Sequence, residues 1–327
     1  VADERQRGGR VSFGVVLIGY AVLVGTVGAA AFRRATWPLR APRLGAAAVL
    51  AAAWSVPLAL VLAGLTLALP TSALTTDLGE LVGACLGRLR AAYGTPAGTG
   101  IVTAGQLLSA ATLGRIVWAA GRIAHRRRTA WRRHRLLVRL SGQRRPGLPA
   151  VVLDCPGPAA YSVAGRRPAV VVTSGAIELL TAPQLEAVLA HENAHLHARH
   201  HRRQVAAALL AEALPVVPLL REAPARVGRL LEIHADELAA DHHEARVLAS
   251  ALVAVTSAGA VTSSGNRDRP VGARGFAGSD ALARVRRLLS PPAGLTRRHR
   301  ALTTAAVVAV TATPLLLATV PALVALY

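Results

Sequence analysis

Four long stretches of this chain are apolar with almost no charge. Residues 11–32 run for 22 positions without a charged side chain. At a rise of 1.5 Å per residue this predicts a helix of about 33 Å, enough for a hydrocarbon layer of about 30 Å. The apolar region of a cleaved secretory signal is only about 7–15 residues, so a retained membrane helix is expected. Residues 44–69 form a second run, interrupted by Trp54, Ser55 and Pro57. A buried Pro is tolerated there because neighbouring helices re-satisfy the freed carbonyl. Residues 101–124 form a weaker third run with Gln106, Arg115 and Arg122; arginines near a helix end can snorkel to the interface. Residues 301–327 form the fourth.

Between the third and fourth runs the pattern changes. Short β-branched segments at Val151–Leu153, 161–163 and Ala169–Thr173 read as strands, the last two joined across Gly165, Arg166 and Arg167. Thr181, Pro183 and Gln184 mark a helix start, with Thr as cap, Pro in the first turn and Gln closing a capping box. Residues 227–247 have helical spacing, with Leu230, Leu231, Leu238 and Val247 apolar. Residues 205–220 are apolar apart from Glu212 but broken by Pro215 and Pro218. They are too short for a span, and are expected as a hairpin in the membrane interface or the domain core. Residues 262–279 read as a Gly/Ser/Arg-rich loop, and helical spacing resumes over 281–289.

Charge orients these elements. The 38 basic residues are all Arg, against 17 acids, for a net charge of +21. Arg33, Arg34, Arg40 and Arg43 follow the first run, ten arginines lie between Arg122 and Arg145, and Arg297, Arg298 and Arg300 precede the fourth run. Positive segments stay in the cytoplasm. The first loop and residues 126–300 are therefore expected there, with both termini outside. Arg5, Arg7 and Arg10 oppose this, offset in part by Asp3 and Glu4. In this topology Cys85 and Cys155 lie on opposite sides and cannot pair. The basic cluster suits anionic lipid headgroups. With only Trp131 interleaved, it lacks the stacking aromatics of a nucleic-acid surface, and no direct nucleic-acid partner is expected. A hydrophobic content of 53% and a mean hydropathy of +0.41 exclude a disordered chain. The chain opens on Val1 without any Met, so the expected start is a non-ATG codon or lies upstream.

The chemistry concentrates in His191-Glu192-Asn193-Ala194-His195. Positions i and i+4 share a helix face, so two imidazoles can reach one zinc ion. A carboxylate directly after the first ligand can take a proton from the attacking water and hand it to the leaving amine. The apolar residues before the motif predict a buried helix, where such polar groups need partners. A catalytic zinc wants a third protein ligand and an open position. The downstream candidates are Glu212, Glu222, Glu232, His234, Asp236, Glu237, Asp241, His242 and His243. Glu232 and Asp236 stand at i and i+4, so Glu232 can ligate while Asp236 orients a ligating imidazole. His234 is expected at the surface, and His197, His200 and His201 solvated or touching lipid headgroups. His242 and His243 are candidates for stabilising an oxyanion.

These residues, with Ala160-Tyr161-Ser162, Ala169–Gly175 and the Glu232-to-Asp236 spacing, resemble the integral-membrane zinc metallopeptidases typified by the BlaR/MecR antirepressors (metallopeptidase family 56). The pattern is also similar to the HtpX-type membrane proteases. The resemblance implies a mainly α membrane protein with about four transmembrane helices and an inserted α+β zincin-like (gluzincin) metallopeptidase domain. Its division would be 1–125 for three spans (about 11–32, 44–69 and 101–124), 126–300 for the cytoplasmic peptidase, and 301–327 for the last span. It also implies His191, His195 and Glu232 as ligands of one Zn²⁺ per chain, Glu192 as catalytic base and Asp236 as supporting carboxylate. The strand Ala169–Thr173 would lie near the substrate-binding edge. The sensor members carry a penicillin-binding domain after the last span, and this sequence ends at Tyr327; direct β-lactam sensing is not expected. The expected function is a zinc endopeptidase of the plasma membrane, multi-pass, with its active site facing the cytoplasm. Its partners would be membrane lipid and a protein substrate, with a BlaI/MecI-like repressor as one candidate. The rival readings are an HtpX-like quality-control protease and a non-catalytic membrane-anchored regulator with structural zinc.

Overall fold

The computed structural model describes residues 2–68, 96–165, 168–262 and 278–324. Cys85, the charged residues of the loop 70–95, the turn residues Arg166 and Arg167, and most of the loop 262–279 lie outside the described residues.

The chain is mostly helical. A nearly continuous N-terminal helix comprises α1 (Ala2–Leu23), a π-helical turn (Val24–Gly28) and α2 (Ala29–Arg34). A single turn, α3 (Trp37–Arg40), leads into α4 (Pro42–Ala68), which accommodates Pro57 in its interior. The helix α5 (Pro96–Ser141) runs for 46 residues. Four helical segments among the described residues are long and apolar enough to cross a membrane: Phe13–Arg34, Pro42–Ala68, Gly100–Ala130 and Arg297–Thr319. They overlap the four apolar runs. The third is longer than its run because α5 continues through the arginine cluster without a break.

Close contact between α4 and α5 depends on small residues. A Cβ on Gly64 would meet Ser109 Oγ at 2.2 Å and Gly105 O at 2.4 Å, so the backbones approach as membrane helices do at small-residue contacts. Tyr20 donates to Val310 O and lies 3.0 Å from Ser55 Oγ, joining α1, α4 and α12 (Arg297–Val324).

The α+β region starts where α5 feeds β1 (Gly142–Arg144). With β2 (Val151–Leu153), β3 (Ala160–Val163) and β4 (Ala169–Thr173) it forms a four-stranded sheet in the order β1-β2-β4-β3. β2 and β4 are parallel; the other two pairs are antiparallel, with Tyr161 opposite Val171. Valines at 152, 170, 171 and 172 are buried, which suits β-branched side chains on a pleated surface. Thr173 ends β4 and caps α6 (Ser174–Leu179), accepting from Ala176 N–H. The next helix, α7 (Ala182–His197), starts as its sequence predicts: Gln184 Oε1 accepts from Thr181 N–H at 3.0 Å. Val188 and Leu189 of α7 pack with Val152, Val172 and Val255 on one face of the sheet.

Residues 205–220 belong to two helices, α8 (His200–Ala213) and α9 (Pro218–Ala240), joined by a short turn. Leu210, Leu219 and Leu220 are fully buried in one cluster with Leu17, Ala53 and Val56 of the spans. Ala223, Val227, Leu230 and Leu231 continue this seam against Ala46 and Val49 of α4. The two arginines in the third run serve the same junction. Arg115 donates to the carbonyls of Ala213 and Glu212 at 3.0 Å each, and Arg122 reaches Glu212 at 2.7 Å. Arg115 thereby satisfies carbonyls that the end of α8 leaves open. Beyond α9 come α10 (Ala245–Thr262) and α11 (Gly278–Leu289).

Candidate metal centre

Two helices carry the site. α7 presents His191, Glu192 and His195 from its last turns. α9 crosses it and presents Glu232 and Asp236, one turn apart on the face opposite its apolar seam. The ligand-capable atoms of His191, His195 and Glu232 all lie within 4.8 Å of one another. His191 Nε2 is 3.1 Å from His195 Nε2, and Glu232 is 3.5 Å from the first and 3.6 Å from the second. The i, i+4 spacing thus places both imidazole nitrogens on one point, and a helix from elsewhere in the chain brings the carboxylate.

The electrostatics favour a cation there. Burial alone would lower the pKa of His191, yet Asp236 and Glu232 beside it raise it to about 10. Two carboxylates, Asp236 buried and Glu232 half-buried, have made a place for positive charge. His195 is held neutral, pushed down to about 4 by burial, as a nitrogen ligand requires. Burial would raise Glu232, but His191, His195 and Arg284 outweigh it and hold the carboxylate at about 2. Two imidazoles and one ionised carboxylate are a donor set that suits zinc.

Glu192 differs from Glu232. Burial pushes its carboxyl up to about 7, with Glu232 adding to the rise and His191 opposing it. Ser162 of β3 donates to it from both backbone and side chain. A carboxyl near 7 can accept a proton and release it again near neutrality. His191 and Glu192 line a small cavity with Ala160 of β3, Leu248, Leu252 and Arg284.

Asp236 Oδ1 lies 3.0 Å from His191 Nδ1, where the sequence expects an orienting carboxylate. Its other partner is unanticipated. Arg284 of α11 donates to both Asp236 oxygens at 2.7 Å and lies 3.2 Å from Glu232. The only sequence signal for Arg284 is indirect: a buried Asp needs a counter-charge, and α11 alternates arginines with apolar residues.

β4 (Ala169–Thr173) lies between β2 and β3, and β3, the outer strand of the sheet, is the one whose Ser162 reaches Glu192. Two expectations are corrected. His200 is not solvated but fully buried, with its ring between those of His195 and His234. His234 is not a free surface residue but half-buried against His200. A left-handed residue explains this reversal: Arg199, at φ 52°, turns the chain back after α7 and tucks His200 beneath His195. His197 is exposed as expected. His242 and His243 follow the end of α9 and do not line the cavity beside Glu192.

Residues 126–221 match the family model described as peptidase family M48. No curated protein and no solved structure gives a match. The matched segment begins in the arginine cluster of α5 and includes His191, Glu192 and His195, while Glu232 and Asp236 lie beyond it. The match carries a metallopeptidase and does not extend to the BlaR/MecR type. One segment of the chain is thus similar to the M48 metallopeptidases, and it is set among four helices long and apolar enough to cross a membrane.

Proposed function

We propose that this protein is a membrane-integrated zinc endopeptidase acting on cytosolic or membrane-associated proteins, with its active site on the cytoplasmic side. The observation that carries the reading is the convergence of His191, His195 and Glu232 beside a buried Glu192. His191, His195 and Glu232 would hold one zinc ion per chain, and Asp236 would fix the ring of His191. When bound, zinc supplies Lewis acidity that polarises the scissile carbonyl and acidifies water. Glu192 takes the proton of the attacking water and delivers it to the leaving amine. The Ser162 contact fixes β3 relative to Glu192. The spans confine the site to the membrane surface and so to substrates found there. The arginines flanking the spans support the orientation. A repressor of the BlaI/MecI kind would be one such substrate, and misfolded membrane proteins another.

The test is Glu192→Gln in cells and in the purified protein. The variant is expected to retain zinc and lose cleavage by at least about 100-fold. New protein N-termini mapped by mass spectrometry should appear with wild type and be missing with the variant. Cleavage at the wild-type rate by Glu192→Gln would overturn the mechanism. A regulator with structural zinc would give identical maps for the two.

A further inference from the structure

His195 is the first ring of a connected series. Its Nδ1 lies 3.1 Å from His200 Nδ1, and His200 Nε2 lies 2.9 Å from His234 Nδ1. The three rings follow one another with centroids 4.9 and 5.1 Å apart. His200, at the centre, has no exposed surface.

A neutral imidazole has one donor and one acceptor, and this fixes the direction of the series. If His195 turns its Nε2 lone pair toward His191 and Glu232, its hydrogen is on Nδ1 and is donated to His200 Nδ1. The hydrogen of His200 is then on Nε2 and is donated to His234 Nδ1. Each contact has one donor and one acceptor. The reverse order would put a hydrogen on His195 Nε2, pointing into the cation site. Only one of the two orders leaves His195 able to ligate.

We propose that His200 and His234 are positioning residues that lock His195 in its metal-binding tautomer and ring orientation. This rests on the metallopeptidase reading above. It also gives the two imidazole ligands different supports. His191 is oriented by the Asp236 carboxylate, whereas His195 is oriented by uncharged rings that add no negative charge to a site already holding Glu192, Glu232 and Asp236. The left-handed Arg199 builds the support, because it returns the chain so that His200 faces His195 from the start of α8. His234 sits two residues from Glu232 on α9, so the helix that supplies the third ligand also anchors the support of the second.

The test uses the full-length protein in detergent, with zinc affinity measured by competition against a chromophoric chelator. Wild type should bind one zinc per chain. His200→Phe should weaken binding by about 10–100-fold, as losses of orienting partners do. If that buried variant does not fold, two half-buried variants carry the test. His234→Leu removes the acceptor for His200 and should weaken binding about tenfold. His234→Gln restores an acceptor oxygen and should return most of the affinity. Wild-type affinity in His234→Leu, or equal losses in the Leu and Gln variants, would overturn the positioning role. Absence of zinc from folded wild type would overturn the metallopeptidase reading itself, and this inference with it.

Discussion

Arg284 holds Asp236 with two parallel hydrogen bonds, Nε to Oδ2 and Nη2 to Oδ1, each 2.7 Å long. Arg284 is 5% exposed and Asp236 2%. The pair joins α11 to the helix that supplies Glu232. Removing one partner of a buried ion pair strands the other, at a cost of about 3–5 kcal/mol. Arg284→Ala is therefore expected to lower the unfolding free energy by about that amount. Arg284→Lys should not restore it, because an ammonium cannot make the two-pronged contact. Denaturant unfolding in detergent checks this; Lys at wild-type stability would show that charge alone suffices.

Glu232 and His234 are neighbours in sequence with unequal duties. Glu232 offers an oxygen to the cation site directly, while His234 touches it only through His200. Glu232→Ala should lower zinc occupancy more than His234→Ala in the same titration. The opposite order would move the third ligand to His234.

Arg199 occupies a conformation that costs a non-glycine residue about 1–2 kcal/mol. Glycine adopts it freely but loses more backbone freedom on folding, about 0.5–1 kcal/mol. Arg199→Gly is expected to match wild type or gain up to about 1.5 kcal/mol, as the difference of these two terms. Arg199→Val should be destabilised, since a β-branched side chain tolerates positive φ worst. Thermal melting of the two variants would separate them, and a Val variant as stable as the Gly variant would contradict the assignment of strain.

Leu231 is fully buried against Ala46 and Val49 of α4 and directly precedes Glu232. Leu231→Ala should cost about 2–5 kcal/mol through lost packing and the cavity left behind. It should also weaken zinc binding, because the seam against α4 sets the position of the ligand helix. A variant destabilised by this amount with unchanged zinc affinity would show that α9 keeps its place without the seam.

The apolar runs and the metal motif were legible in the sequence because each rests on a local rule. Span length follows from the run of uncharged residues, and the i, i+4 spacing puts His191 and His195 on one face wherever that helix lies. Glu232 and Asp236 were legible by the same spacing, as one candidate pair among several. What stayed hidden depends on contacts between distant elements. The outer place of β3 follows from a sheet order in which β4 inserts beside β2, and strand order has no local signal. His200 looked solvated because its neighbours are Arg199, His201 and Arg202; its burial follows from one left-handed residue. Arg284 lay in an ordinary amphipathic helix, and only the fold shows that its partner is 48 residues away.

The seam that joins α8 and α9 to α1 and α4 has a practical consequence. Leu210, Leu219 and Leu220 have no exposed surface in the intact chain because the spans cover them. Excised as a free fragment, the portion that holds the candidate metal site would bare a contiguous oily strip and, with Arg115 gone, two carbonyls at the end of α8. Fragments of that kind self-associate. A water-soluble piece of this protein would have to be resurfaced along that strip before it could be handled at the concentrations crystallisation demands.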